Sequence, residues 1–99
     1  MKLNEYQKQA AVTDTFGDKK VVDLSASDPA YVAKILGLVG EAGEVAEKYK
    51  KIIRDKKGVI SDSDKEDLKK ELGDVLWYAA LLAKYLGVEL EEVAQINLD

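Results

Sequence analysis

The stretch Gly40-Glu41-Ala42-Gly43-Glu44-Val45-Ala46-Glu47 and its counterpart Glu71-Leu72-Gly73-Asp74 decide the fold. Glu41/Glu44 and Glu71/Asp74 are carboxylate pairs spaced i, i+3 inside strongly helical patterns, so each pair occupies one helix face. Four carboxylates brought together repel one another unless cations sit among them. They point to a divalent-metal site that the rest of the chain positions.

Outward from the first pair, Tyr31, Ile35, Leu38, Ala42, Val45, Tyr49 and Ile52 alternate spacings of four and three. That pattern predicts a long bundle helix over about 29–57. Ser27-Asp28-Pro29 supplies a capping residue and a proline for its start, and Gly58 ends it after Lys56-Lys57. Ser63-Asp64-Lys65-Glu66 has the pattern of a capping box for the next helix, which runs to Leu86 along a seam of Leu68, Leu72, Val75, Ala79, Leu82 and Leu86. Gly87 is its stop, and Leu90 to Asn97 forms a short final helix. A leading helix is expected over about 3–15, with Asn4 as N-cap, Gln7 as its capping-box partner and Tyr6 packed inward. Phe16 to Lys20 is expected to turn, and Val21 to Leu24 to form an ordered loop. The predicted class is all-α: two long antiparallel helices with a leading and a short C-terminal helix, in a single domain over 1–99. Dimerisation would complete a four-helix bundle.

Helical phasing sorts the acids. At about 100° per residue, Glu41 and Glu44 lie about 80° and about 140° from their seam. Glu71 and Asp74 lie about 60° and about 120° to the same side of theirs. In an antiparallel pair those flanks meet, so Glu41, Glu44, Glu71 and Asp74 converge as metal ligands, whereas Glu47 points away. Lys34, Lys48 and Lys51 add cations along the first flank, and Tyr78 continues the second. Gly37, Gly40, Gly43 and Gly73 each cost a helix about 1 kcal/mol relative to alanine, which suggests close helix approach around the site. Trp77 projects opposite its seam and is expected at a subunit interface.

Composition narrows the chemistry. The 99 residues contain no Cys and no His, which excludes disulfides, thiolate chemistry, common zinc sites and Ser-His-Asp triads. It also excludes a ferritin-like di-iron bundle, which needs Glu-x-x-His. Carboxylates alone suit the hard cations Mg²⁺, Mn²⁺ or Ca²⁺. Nineteen acids against fifteen bases, a net charge of −4, argue against nucleic-acid and anionic-membrane partners. No apolar run approaches the about 18 residues of a membrane span, and the N-terminus lacks a signal-peptide core. A soluble cytoplasmic protein is expected.

At these residues the chain resembles the MazG-like nucleoside triphosphate pyrophosphohydrolases of the all-α NTP pyrophosphatase superfamily. Their Glu-Glu-x-x-Glu, spacer, Glu-x-x-Asp pattern aligns with Glu41-Ala42-Gly43-Glu44, 26 intervening residues, and Glu71-Leu72-Gly73-Asp74. The similarity extends to Leu3-Asn4-Glu5-Tyr6-Gln7-Lys8, Leu36-Gly37-Leu38-Val39, Val75-Leu76-Trp77-Tyr78 and Ala94-Gln95-Ile96-Asn97. Gly40 stands where the pattern has its first Glu, and the sequence ends at Asp99, where relatives continue into a Lys/Arg-bearing tail.

The resemblance implies hydrolysis of a (deoxy)nucleoside triphosphate to monophosphate and pyrophosphate, in nucleotide-pool housekeeping, by a homodimer or homotetramer. It implies Mg²⁺, with Mn²⁺ as the alternative, on Glu41, Glu44, Glu71 and Asp74, and Glu44 as catalytic base. Lys48, Lys51, Tyr78 and Asn97 would contact the nucleotide. Two rivals remain at this point. One is a related phosphoribosyl-ATP or dCTP/dUTP pyrophosphohydrolase; the other is a non-catalytic helical oligomerisation or regulatory module.

Overall fold

The structure is a computed structural model that describes residues 1–15 and 25–99. The turn expected at 16–20 and the loop at 21–24 lie outside the described residues. The described residues form four helices: α1 (Leu3–Val12), α2 (Pro29–Lys56), α3 (Asp62–Tyr85) and α4 (Leu90–Leu98). They contain no strand, in keeping with the all-α expectation. None of these helices is long and apolar enough to cross a membrane.

The ends of α2 and α3 follow from local chemistry. Asp28 caps α2 by accepting the Ala30 amide at 2.9 Å, with Pro29 in the first turn. Its C-terminus unwinds through two left-handed residues, Lys57 (φ 53°) and Gly58 (φ 80°). The capping box of α3 sits two residues earlier than expected. Ser61 Oγ accepts the Asp64 amide at 3.1 Å, and Asp64 Oδ2 accepts the Ser61 amide at 3.0 Å. Lys56 Nζ donates to both Asp64 carboxylate oxygens at 2.9 and 3.0 Å, fastening the end of α2 to the start of α3. At the other end of α3, Gly87 (φ 78°) allows the Val88 amide to reach the Ala83 carbonyl at 3.0 Å, closing a Schellman turn.

Antiparallel pairing of α2 and α3 is visible in contacts along their length: Lys56 with Asp64, Gly37 beside Tyr78, and Tyr31 edge-on to Tyr85 at 5.3 Å. The packing seam is rotated from the expected one. Lys34 is buried and Glu41 half-buried, whereas Ile35, Ala42 and Tyr49 are exposed. On α3, Leu72 is 52 % and Leu86 67 % exposed, so neither belongs to the buried seam. At the Tyr31–Tyr85 end the inward face carries Lys34, paired with Asp14 at 2.9 Å.

Helix α1 packs on α3 and α4. Asn4 and Gln7 do not form its local cap. The helix begins at Leu3 with Lys2 as N-cap, so both side chains lie inside it and reach across to the start of α4. Gln7 Nε2 donates to the Ala80 and Val88 carbonyls at 3.2 and 3.0 Å, and its Oε1 accepts the Leu90 amide at 3.0 Å. One buried amide therefore ties α1 to α3, to the α3–α4 turn and to α4.

Candidate metal centre

Glu41 and Glu71 are half-buried between α2 and α3, and Asp74 is exposed one turn beyond Glu71. One carboxylate oxygen from each of the three lies within 4.8 Å of the others. Burial pushes the Glu41 carboxyl above its usual value; the charges of Asp74, Glu71 and Glu44 and a hydrogen bond with Glu71 push it further. Three hard oxygen donors in mutual repulsion fit a divalent cation such as Mg²⁺ or Mn²⁺, and no softer ligand stands among them.

Glu44 is exposed and outside the close trio, although its charge reaches Glu41. Of the four expected ligands it has the largest angular offset from the expected seam, about 140°. Glu47 bonds instead with Lys50 at 3.6 Å on the outer face.

A cleft of about 190 Å³ opens beside the trio, lined by Glu41, Asp74, Trp77 and Tyr78. Tyr78 lies where expected, one turn from Asp74. Its ring fills the space in front of Gly37, so that a Cβ there would overlap it. Gly37 is thus a true close-approach glycine. Among the described residues nothing lies within 4 Å of a Cβ built at Gly40, Gly43 or Gly73, so the expected close approach is not made there by any of them.

Trp77 differs from the expectation. It is half-buried within its own chain, donating its indole N–H to Thr13 Oγ1 at 2.9 Å and meeting the Tyr78 ring edge-on at 4.9 Å. The end of α1 supplies this partial cover within the chain. A second residue from α1 approaches the site. Burial raises the Tyr6 hydroxyl pKa, and the charge of Asp74 raises it further. Tyr6 is half-buried, as a packing residue should be, and also borders the acids.

Lys48 and Lys51 line a separate cleft of about 200 Å³ toward the α2–α3 turn, with Asp55, Asp64 and Asp67 among its other walls. Asn97 is exposed on α4. The structure therefore brings Glu41, Glu71, Asp74 and Tyr78 together. Lys48, Lys51 and Asn97 are not among the residues that line their cleft. Helical phasing along α2 and α3 carried no information on the approach of α1, so Tyr6 and Trp77 escaped it as site neighbours. The Leu3–Lys8 stretch singled out in the sequence was the available signal.

The MazG nucleotide pyrophosphohydrolase domain matches residues 31–99, which include both acid pairs. The gene 37 protein of Mycobacterium phage L5 is 59 % identical over 64 residues, 65 % of this chain and 56 % of that protein. The chain spans little more than half the length of that relative. No solved structure gives a significant match. With the family domain matched across α2, α3 and α4, the chain belongs to the MazG nucleotide pyrophosphohydrolase domain family.

Proposed function

We propose that this chain is a Mg²⁺-dependent pyrophosphohydrolase that converts nucleoside or deoxynucleoside triphosphates to the monophosphate and pyrophosphate. The observation that carries this reading is the meeting of Glu41, Glu71 and Asp74 oxygens within 4.8 Å, beside a cleft walled by Trp77 and Tyr78. Glu41, Glu71 and Asp74 are the proposed metal ligands, with Glu44 completing the set when a triphosphate is bound. A bound Mg²⁺ would neutralise phosphate charge and lower the pKa of an attacking water. Glu44, exposed at the edge of the trio, is the proposed base that takes the proton from that water. Tyr78 and Trp77 offer ring faces and edges to the base or sugar. Lys48, Lys51 and Asn97 are proposed to reach the phosphates or the nucleoside only in the assembled, substrate-bound enzyme.

The proposed assembly is a homodimer that completes a four-helix bundle, or a tetramer of two such bundles. Leu36 and Val39 on α2 are 65 % and 67 % exposed, and Leu72 on α3 adds to that apolar surface. The proposed role is clearance of surplus or non-standard nucleotides in the cytoplasm, by a single domain over 1–99.

Pyrophosphate release from a panel of ribo- and deoxyribonucleoside triphosphates and phosphoribosyl-ATP, with and without Mg²⁺, tests the substrate class. Release confined to phosphoribosyl-ATP, or to dCTP and dUTP, would assign the narrower activity. No release from any of them would favour a non-catalytic module.

A further inference from the structure

Behind the aromatic wall of the cleft lies a second charged cluster that the proposed hydrolysis does not use. Lys34 Nζ bonds Asp14 Oδ1 at 2.9 Å, and the two side chains are 4 % and 3 % exposed. The Tyr85 hydroxyl donates to the other Asp14 oxygen. Burial and then this hydrogen bond push the Tyr85 pKa far upward, so the hydroxyl keeps its proton and remains a donor. The Lys34 ammonium lies 5.6 Å from the ring centroids of both Tyr85 and Trp77. Among the described residues Lys34 thus meets an anion and two aromatic rings, unlike a surface lysine poised for phosphate.

A buried ion pair adds little net stability over an apolar replacement of the same shape, but it fixes geometry, because each charge is costly to leave unmatched. The geometry fixed here leads to the cleft. Thr13 and Asp14 are adjacent at the end of α1: Thr13 holds the Trp77 indole N–H, and Asp14 holds Lys34 and Tyr85. Thr13 Oγ1 in turn donates to the Ala10 carbonyl at 2.7 Å, anchoring the acceptor to the helix. Trp77 stands between this cluster and Tyr78, and the Tyr78 ring has only the space that Gly37 leaves.

We propose that Asp14, Lys34 and Tyr85 are positioning residues that lock the end of α1 against Trp77, and so set the aromatic wall of the cleft beside Glu41 and Asp74. The consequence for substrate rests on the pyrophosphohydrolase reading. The positioning itself does not, and it can be measured without metal or nucleotide.

Trp77 is the single tryptophan of the chain, so its emission reports on this wall alone. The test compares Asp14→Asn, Lys34→Met, Tyr85→Phe and Thr13→Val in the full chain, at a temperature where circular dichroism shows wild-type helicity. Emission maximum and acrylamide quenching are recorded in EDTA; kcat and KM follow for the best nucleotide of the panel. Asp14→Asn and Lys34→Met should shift the emission to the red and raise quenching. KM should rise about three- to tenfold, the scale of one lost hydrogen bond, with kcat changed less. Lys34→Arg, which keeps the cation, should restore most of the wild-type emission. Should the buried-charge variants fail to fold, Tyr85→Phe and Thr13→Val, each removing one hydrogen bond, must still increase quenching. Folded variants with wild-type emission, quenching and KM would overturn the proposal and leave the cluster a structural ion pair. Should no nucleotide be hydrolysed, the emission and quenching results decide it alone.

Discussion

Glu41 is held where its charge is disfavoured, by burial first and then by Asp74, Glu71 and Glu44. A carboxyl whose folded pKa is raised favours the native state while protonated, and that contribution is lost as pH rises through the raised value. Near neutral pH, without metal, Glu41 therefore opposes folding. Glu41→Gln is expected to raise the Tm of the chain in EDTA at pH 7 and to remove most of the further rise that Mg²⁺ gives the wild type. Scanning calorimetry of both forms checks this; a lower Tm for the variant in EDTA would show that the acid is not under strain. Asp64 shows the opposite sign. The Lys56 ammonium, followed by the hydrogen bonds of Ser61, holds its carboxyl at about 2, below the usual 3.8. Its stabilising contribution is present above 3.8 and is lost as pH falls through about 2. Acid titration of unfolding should be visibly flatter over that window in Asp64→Asn.

Within the elements, most of the secondary structure was legible in the sequence. The limits of α2, α3 and α4 follow from Pro29, Gly58, Gly87 and the alternating apolar spacings, which are local signals. The rotation of the seam was not legible, because both long helices carry apolar residues on more than one face and periodicity alone does not say which face is inward. Leu72 and Leu86 satisfy the spacing rule and are still exposed, while Lys34, a charge, is buried. Lys34 pairs there with Asp14, just beyond the end of α1, and no local pattern encodes that pairing. Similarly, Asn4 and Gln7 have the spacing of a capping box but make tertiary bonds to the start of α4. Gln7→Ala removes three hydrogen bonds to backbone groups and is expected to lower stability by about 2–4 kcal/mol, read from urea denaturation. Asn4→Ala, on the exposed side, should cost about 1 kcal/mol or less. The helical glycines separate in the same experiment. Gly40→Ala meets open space and should gain about 0.5–1 kcal/mol from helix propensity, whereas Gly37→Ala must displace the Tyr78 ring and should lose that gain or more.

For the molecule as a whole, the Cα radius of gyration is 15.5 Å. A compact chain of this length is expected near about 13 Å. The long α2–α3 hairpin accounts for the excess and carries Leu36, Val39 and Leu72 uncovered on its surface. Light scattering should give twice the 10.9 kDa chain mass, or four times it. Leu36→Glu combined with Val39→Glu should return the mass to that of a monomer; a wild type monomeric at all concentrations would contradict the proposed assembly.

The carboxylates that opened the sequence are a set of unequal members: Glu41, Glu71 and Asp74 close together, Glu44 at their edge, and Glu47 bonded to Lys50 on the outside. The most direct measurement is Mg²⁺-dependent pyrophosphate release from the triphosphate panel by the wild type, Glu71→Gln and Glu47→Gln side by side. The predicted result is release by the wild type that depends on Mg²⁺, a loss of about 100-fold or more in Glu71→Gln, and near wild-type release in Glu47→Gln. A Glu71→Gln protein as active as the wild type, or equal losses in the two variants, would contradict a metal centre built on Glu41, Glu71 and Asp74.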